Sequence, residues 1–296
     1  MAAMRVNRTF KDSLFRMLFR EKNELLNLYN AVNGTNYQNP DDLTVTTIED
    51  VLYLNMKNDL SFLIGQSLNL YEAQSSWAPN MPLRGLFYFS RLYQGYIKER
   101  QLDLYSQRLL SIPAPQYIVF YNGTRDQPDR MQLRLSDSFL PSRSAPCLEC
   151  TATMLNINYG HNEAIMKKCR KLYEYAYLIN SVRRQLDTGL KLEAAVDQAV
   201  EDCIRHGILK QFLLKHREEV REMILSEYDE ALHIRSEKEI SFEEGAAQGK
   251  LEGITQGQER VNLLITRLSK AGRTEDILRS ATDPAYQEHL FQEFGI

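Results

Sequence analysis

A chain of 296 residues that is 43% hydrophobic, 10% aromatic and 25% charged has the composition of an ordinary globular protein, which excludes disorder and low complexity. At roughly 100–200 residues per domain, one large domain and an accessory piece are expected. With 36 Lys and Arg against 39 Asp and Glu the net charge is −3, so no global positive field marks a nucleic-acid binder and any such contact has to be local.

The elements follow in chain order. Residues Arg8–Asn30 have helical periodicity, with Phe10, Leu14, Leu18, Leu25, Leu28 and Tyr29 on one broad face and Asn33-Gly34 as the stop. An Asn39-Pro40-Asp41-Asp42 turn leads to a β-branched extended run, Leu43–Ile48, and then to a candidate strand, Val51–Met56. Lys57-Asn58-Asp59 introduces Leu60–Ile64. A turn at Gly65-Gln66-Ser67 then joins that run to Leu68–Ser75 in a hairpin. The connector from Trp77 to Pro82 precedes a long aromatic helix, Leu83–Leu110, with Pro82 suited to its first position. Strands are expected at Gln116–Tyr121, before an Asn122-Gly123 turn, and at Cys147–Ile157, after a polar loop. From Asn162 to Leu232 the pattern is helical, broken at Gly189 and Gly207. The order describes an α/β core followed by a helical half.

In the tail, Gly245, Gly249, Gly253 and Gly257 recur every four residues and so stay near one helix face. Each glycine costs a helix about 1 kcal/mol relative to Ala. Two readings stand: a stripe that admits a second helix closely, as in a homo-oligomer, or a marginal linker helix. Val261–Lys270 is an amphipathic helix broken by Ala271-Gly272, and Thr274–Ser280 begins another.

A membrane span needs about 20 consecutive apolar residues, and stretches such as Gln116–Tyr121 are far shorter. Met1–Arg20 carries Arg5, Arg8, Lys11, Arg16 and Arg20 without a continuous apolar core, unlike a secretory signal. A cytoplasmic protein with no membrane partner is expected. Cys147 and Cys150 form a C-x-x-C, but Cys169, Cys203 and His161 stand singly, without zinc-ligand spacing. The cysteines therefore read as packing residues.

Side chains at i and i+2 of a strand share a face, so Glu72 and Gln74 point the same way, and a hairpin centred on Gly65-Gln66 brings Asp59 near them. Two converging carboxylates and a carboxamide suit a hard divalent cation, Mg²⁺ or Mn²⁺. An acidic pair across a hairpin is equally a solvated strand and turn. No P-loop, dinucleotide fingerprint or nucleophile elbow occurs, and the five histidines do not cluster.

The succession Asn58-Asp-Leu-Ser-Phe-Leu-Ile, Tyr71-Glu-Ala-Gln-Ser-Ser and Pro79-Asn-Met-Pro-Leu-Arg resembles the core signature of the Rpn family of recombination-promoting nucleases and transposase-like proteins, in the PD-(D/E)XK nuclease superfamily. The opening Thr9-Phe-Lys-Asp-Ser-Leu-Phe-Arg-Met-Leu-Phe resembles that family's first helix, and the likeness extends over roughly residues 8–232 through Ala195–His206, Gly207-Ile-Leu-Lys-Gln-Phe-Leu and Glu227-Tyr-Asp.

The resemblance implies an α/β fold with a restriction-endonuclease-like core, a mixed central sheet flanked by helices, followed by a helical half and a helical tail. It divides the chain into a core at 1–185, a helical extension packed on it at 186–240, and a Gly-repeat tail at 241–296. It also implies a Mg²⁺- or Mn²⁺-dependent DNA endonuclease. Asp59, Glu72 and the backbone carbonyl of Ala73 would hold the metal. Gln74 stands where the superfamily more often has Lys; it can position water but supplies no positive charge. A helix-1 carboxylate, Glu21 or Glu24, is a further candidate ligand. For DNA, residues 81–146 hold nine basic against five acidic side chains, with Arg84 and Arg91 as the candidate contacts, whereas residues 217–259 hold five basic and twelve acidic. Tyr88, Tyr93 and Tyr96 fall at helical spacing and read as core. The alternative function is a weakly active or inactive nuclease fold that binds DNA or assembles through its tail.

Overall fold

The computed structural model describes residues 14–46, 60–141 and 145–296, the side chains of residues 227, 229–248, 251, 252 and 254 excepted. The candidate strand Val51–Met56, Asp59 and the beginning of the first helix lie outside the described residues. The chain divides into two units, Met1–Ala231 and Leu232–Ile296.

The first unit is built on a mixed six-stranded sheet. Its strands are β1 (Leu43–Val45), β2 (Leu60–Ile64), β3 (Ser67–Gln74), β4 (Ala114–Tyr121), β5 (Arg130–Arg134) and β6 (Thr151–Asn156), in the order β1-β2-β3-β4-β6-β5. β1–β2 and β2–β3 pair antiparallel, β3–β4 and β4–β6 pair parallel, and β5 closes the edge antiparallel to β6. The hairpin falls at the expected turn. Ile64 pairs with Ser67, which leaves Gly65-Gln66 as a two-residue connection with Gly65 at φ +56°. Such short hairpin turns need a positive φ, and glycine supplies it without steric cost.

Both faces of the sheet are covered, so β3 is buried almost continuously, Leu68 to Glu72, rather than on alternate residues. On one face lie α1 (Leu14–Phe19), α2 (Lys22–Asn33) and the later helices of this unit. Phe15, Phe120, Tyr71 and Phe62 form, in that order, a chain of rings there, with successive centroids 5.0–5.3 Å apart. On the other face α3 (Met81–Glu99) sets Met81, Tyr88, Phe89 and Leu92 on Leu68, Leu70, Tyr117 and Met154. Tyr88 is thus a core residue, as its spacing indicated.

Beyond the sheet come α4 (Glu163–Lys168), α5 (Arg170–Asp187), α6 (Leu192–Arg205), α7 (Lys210–Lys215) and α8 (Arg217–Lys270). Residues 188–191 and 206–209 separate α5, α6 and α7, with Gly189 at φ +89° and Gly207 at φ +76° as the expected breaks. α6 buries Ala195, Val196, Ala199, Val200 and Cys203, a stripe at helical period with small residues at its contacts.

In the second unit the end of α8, α9 (Thr274–Ser280) and α10 (Pro284–Phe294) enclose their own small core of Leu264, Leu268, Leu290 and Phe291. Asp283 caps α10 by accepting the Tyr286 amide at 3.0 Å. Gly249, Gly253 and Gly257 lie within the continuous helix, and a Cβ at any of them would meet nothing within 4 Å.

Four expectations change. The first helical run is two helices, since Arg20-Glu21 separates α1 from α2. The long aromatic helix stops at Glu99 rather than Leu110: Gln101 adopts φ +53°, and the following Leu104 and Leu109 are exposed instead of buried on a helix face. The polar loop before the last strand contains β5, in which only Leu133 is buried. Finally, β6 starts at Thr151, so Cys147 lies ahead of it and is exposed; all four cysteines are free thiols.

No helix among the described residues is long and apolar enough to cross a membrane.

Candidate active site

Glu72 occupies the sixth position of β3, where alternation turns it with Leu68 and Leu70 toward α3. It is 1% exposed. Burying a carboxylate is costly unless a cation and hydrogen bonds accompany it. Arg84, on the first turn of α3, meets that need: its Nη2 donates to Glu72 Oε2 at 3.0 Å and lies 3.3 Å from the Tyr88 hydroxyl. Burial works against the Arg84 charge, but the Glu72 carboxylate and Tyr88 outweigh it and hold the guanidinium above its ordinary range.

Tyr117, from the adjoining β4, completes the surroundings. Its ring lies so close to α3 that a Cβ on Gly85 would stand 2.5 Å from Tyr117 Cε1. Glycine at 85 therefore sets how near α3 comes to the sheet, and with it the reach of Arg84. The Tyr117 hydroxyl is buried and has no hydrogen-bond partner among the described residues. Burial first, and then the nearby Glu72 charge, push it well above the ordinary phenol range. A buried hydroxyl of this kind is where a bound water or ligand oxygen would be accommodated.

Gln74 follows Glu72 at i+2 on the same face and is half-buried at the end of β3; its carbonyl accepts the Asn122 amide at 3.0 Å. Ala73 between them pairs in register with Phe120. This end of β3 lies with the ends of the parallel strands β4 and β6, where open α/β sheets commonly receive ligands. The polar groups there are densely joined: Asn122 Nδ2 donates to the Tyr175 hydroxyl at 2.7 Å, and Arg183 donates to Asn158 Oδ1 at 2.6 Å and to the Asn122 carbonyl.

The sequence expectations divide as follows. Glu72 and Gln74 share one face at one strand end. Asp59 lies outside the described residues; Leu60, the next residue, pairs with Tyr71. Glu24 is bonded to Lys171 at 3.1 Å, and Glu21 is exposed at the start of α2. Among the described residues no group of three or more His, Cys, Asp or Glu side chains converges.

Arg84 faces Glu72 rather than open solvent. Its partner could not be read from sequence, because it depends on how α3 docks. Arg91 is exposed one heptad further on, and Arg84, Arg91 and Lys98 form one stripe along α3. Arg91 and Lys98 join Arg16 and Arg20 around a cavity of about 710 Å³ that also touches Leu60. A cationic track thus runs from the Glu72 carboxylate to this cavity. Compared with protein-family models, curated proteins and solved structures, the chain has no significant match to any of them.

Proposed function

We propose that the protein is a Mg²⁺- or Mn²⁺-dependent DNA endonuclease with a PD-(D/E)XK type of core. One observation carries the reading: a carboxylate, Glu72, is buried at the end of a central strand, two residues from a carboxamide on the same face. A fold seeking only stability would place an apolar side chain there, since replacing a buried ion pair by packed apolar groups is often neutral or stabilising. The antiparallel hairpin β2–β3, the helix α3 and the parallel strand β4 are compatible with such a core.

The donor set fits a hard cation, being carboxylate and carbonyl oxygen without thiolate or imidazole. Asp59, Glu72 and the Ala73 carbonyl would hold the ion, which when bound would supply Lewis-acid activation of the phosphodiester and of water. Gln74 offers a donor and an acceptor to orient the attacking water. Arg91 and Lys98, with Arg16 and Arg20, provide local positive charge for phosphate contacts despite the net charge of −3.

A second reading, a nuclease fold that binds without cutting, is favoured by the hydrogen bond from Arg84 to Glu72 Oε2, which engages one of the oxygens a cation would need. Incubating supercoiled plasmid with the purified protein in Mg²⁺, Mn²⁺ or EDTA separates the two. The nuclease reading expects metal-dependent relaxation or linearisation that is lost in Asp59→Asn and Glu72→Gln. Inert wild type across metals and DNA forms, or variants that cut equally well, would overturn it.

A further inference from the structure

Three residues beyond β6, the loop carries Tyr159, which is 46% exposed and faces Tyr173 of α5, itself 36% exposed, with ring centroids 5.9 Å apart. Tyr177 braces Tyr159 edge-on at 5.7 Å. With Met166, the two outer rings line a cavity of about 540 Å³ that also carries His161, Glu163, Lys167 and Arg170. The two half-exposed rings, tilted 48° to each other and braced by a third, form a rigid aromatic wedge. Such a surface suits a planar aromatic group, which gains stacking at little conformational cost.

The charge beside the wedge indicates what the planar group is attached to. Lys167, Lys168, Arg170 and Lys171 place four cations in five residues where α4 meets α5. Lys167 is bonded to Glu163 at 3.1 Å and Arg170 to Glu174 at 2.7 Å, while Lys168 is exposed with no ion pair among the described residues. The Lys167–Glu163 pair is exposed on both sides, contributes little and exchanges readily for phosphate, whereas Arg170 stays on the buried Glu174 carboxylate and offers phosphate its remaining donors. A slot for a flat ring next to an interrupted cationic run is complementary to a nucleotide within a strand. The site lies at the same end of the sheet as Gln74, because β3, β4 and β6 are parallel, and β6 is two strands away, roughly 10 Å.

We propose that this cavity binds an unpaired base of a DNA strand, held in the wedge between Tyr159 and Tyr173, with the adjoining phosphates at Lys167, Lys168 and Arg170. The choice of DNA rests on the proposed nuclease function, and it makes single-stranded or locally opened DNA the preferred substrate class.

The test is fluorescence anisotropy in EDTA with a labelled 12-nucleotide oligothymidylate and with a duplex of the same length. Wild type is expected to bind the single strand more tightly. Tyr159→Ala and Tyr173→Ala should each weaken that binding by roughly five- to 150-fold, the range for loss of one stacked base, whereas Tyr159→Phe should retain it. Lys168→Glu, an exposed change that leaves the fold intact, should also weaken it. On the unaltered protein, photo-crosslinking to an oligonucleotide containing 5-iododeoxyuridine should mark Tyr159 or Tyr173.

A wild type without single-strand preference, alanine variants that bind as wild type does, or crosslinks only elsewhere would overturn the inference. No metal is present, so the result is independent of cleavage. Tyrosine-dependent binding by a protein inert on plasmid would sink the nuclease reading alone, and cleavage with tyrosine-independent binding would sink this inference alone.

Discussion

Replacing Arg84 by Met keeps the length of the side chain and removes its charge, leaving the 1%-exposed Glu72 carboxylate without the guanidinium that donates to Oε2 at 3.0 Å. Breaking a buried pair from one side costs about 3–5 kcal/mol. Arg84 itself is one-third exposed, so water already screens part of the interaction, and the lower end of that range, ~3 kcal/mol, is the appropriate figure. For a unit of this size, with roughly 2–4 °C lost per kcal/mol, the melting temperature should fall by roughly 6–12 °C.

The sign of the pH dependence follows from the same burial. Removing Arg84 takes away a charge that favours the ionised Glu72 carboxylate, so the folded variant holds more protons there than folded wild type does. Stability of Arg84→Met relative to wild type is then lost as pH rises. Thermal unfolding followed by circular dichroism at pH 5 and pH 8, on wild type, Arg84→Met, Glu72→Gln and the double variant, measures both effects. The double variant should be clearly more stable at pH 8 than Arg84→Met, because the buried carboxylate that has lost its guanidinium is gone. A destabilisation that is the same at both pH values, or a double variant no better than Arg84→Met, would refute the reasoning.

Other changes probe other parts of the account. Gly85→Ala gains up to about 1 kcal/mol of helix propensity but drives a methyl to 2.5 Å from Tyr117 Cε1. The clash should win, with a net loss of about 1–3 kcal/mol in a urea melt; a stabilised variant would contradict the close approach of α3. Burial pushes the Cys169 and Cys203 thiols up to about 11 and about 12. Their contribution to stability is therefore complete below pH 9 and lost as pH rises from 9 through 11 and beyond. Cys203→Ala should flatten the decline of melting temperature with pH between 9 and 11, and an unchanged slope would contradict this. In the native protein at neutral pH, a thiol reagent should label Cys147 first and Cys169 and Cys203 only on unfolding. On the proposed nuclease function, Gln74→Lys would bring a positive charge toward the scissile phosphate and should raise the cleavage rate measured on a labelled oligonucleotide; a lower rate would mean that Gln74 acts through its carboxamide geometry.

What was legible in the sequence was whatever local chemistry dictates. The Gly65-Gln66 turn, the stop at Gly34 and the break at Ala271-Gly272 each depend on residues adjacent in the chain, and alternation alone placed Glu72 and Gln74 on one face. The hidden features depend on what packs against what. β5, Arg-Met-Gln-Leu-Arg, sits at the edge of the sheet and buries only Leu133, so it carries no apolar signal to distinguish it from a loop. The run after Glu99 is apolar enough to continue a helix, yet Gln101 turns with a positive φ that a non-glycine residue seldom adopts. The pairing of Arg84 with Glu72 spans a strand, a connector and a helix start, where α3 lies so close on Tyr117 that a Cβ at Gly85 would clash. The tyrosine cavity likewise joins a loop residue to a helix fourteen positions later, and no local spacing announces it.

The central claim is that Glu72, together with Asp59, holds a divalent cation for phosphodiester hydrolysis. Calorimetric titration of the full chain with Mn²⁺, repeated with Mg²⁺, tests it without requiring the right DNA. Wild type should bind the ion at a site lost in both Glu72→Gln and Asp59→Asn, and more tightly in Arg84→Met, where the competing guanidinium is gone. Binding that is absent from wild type, or that survives both carboxylate substitutions unchanged, would contradict the account.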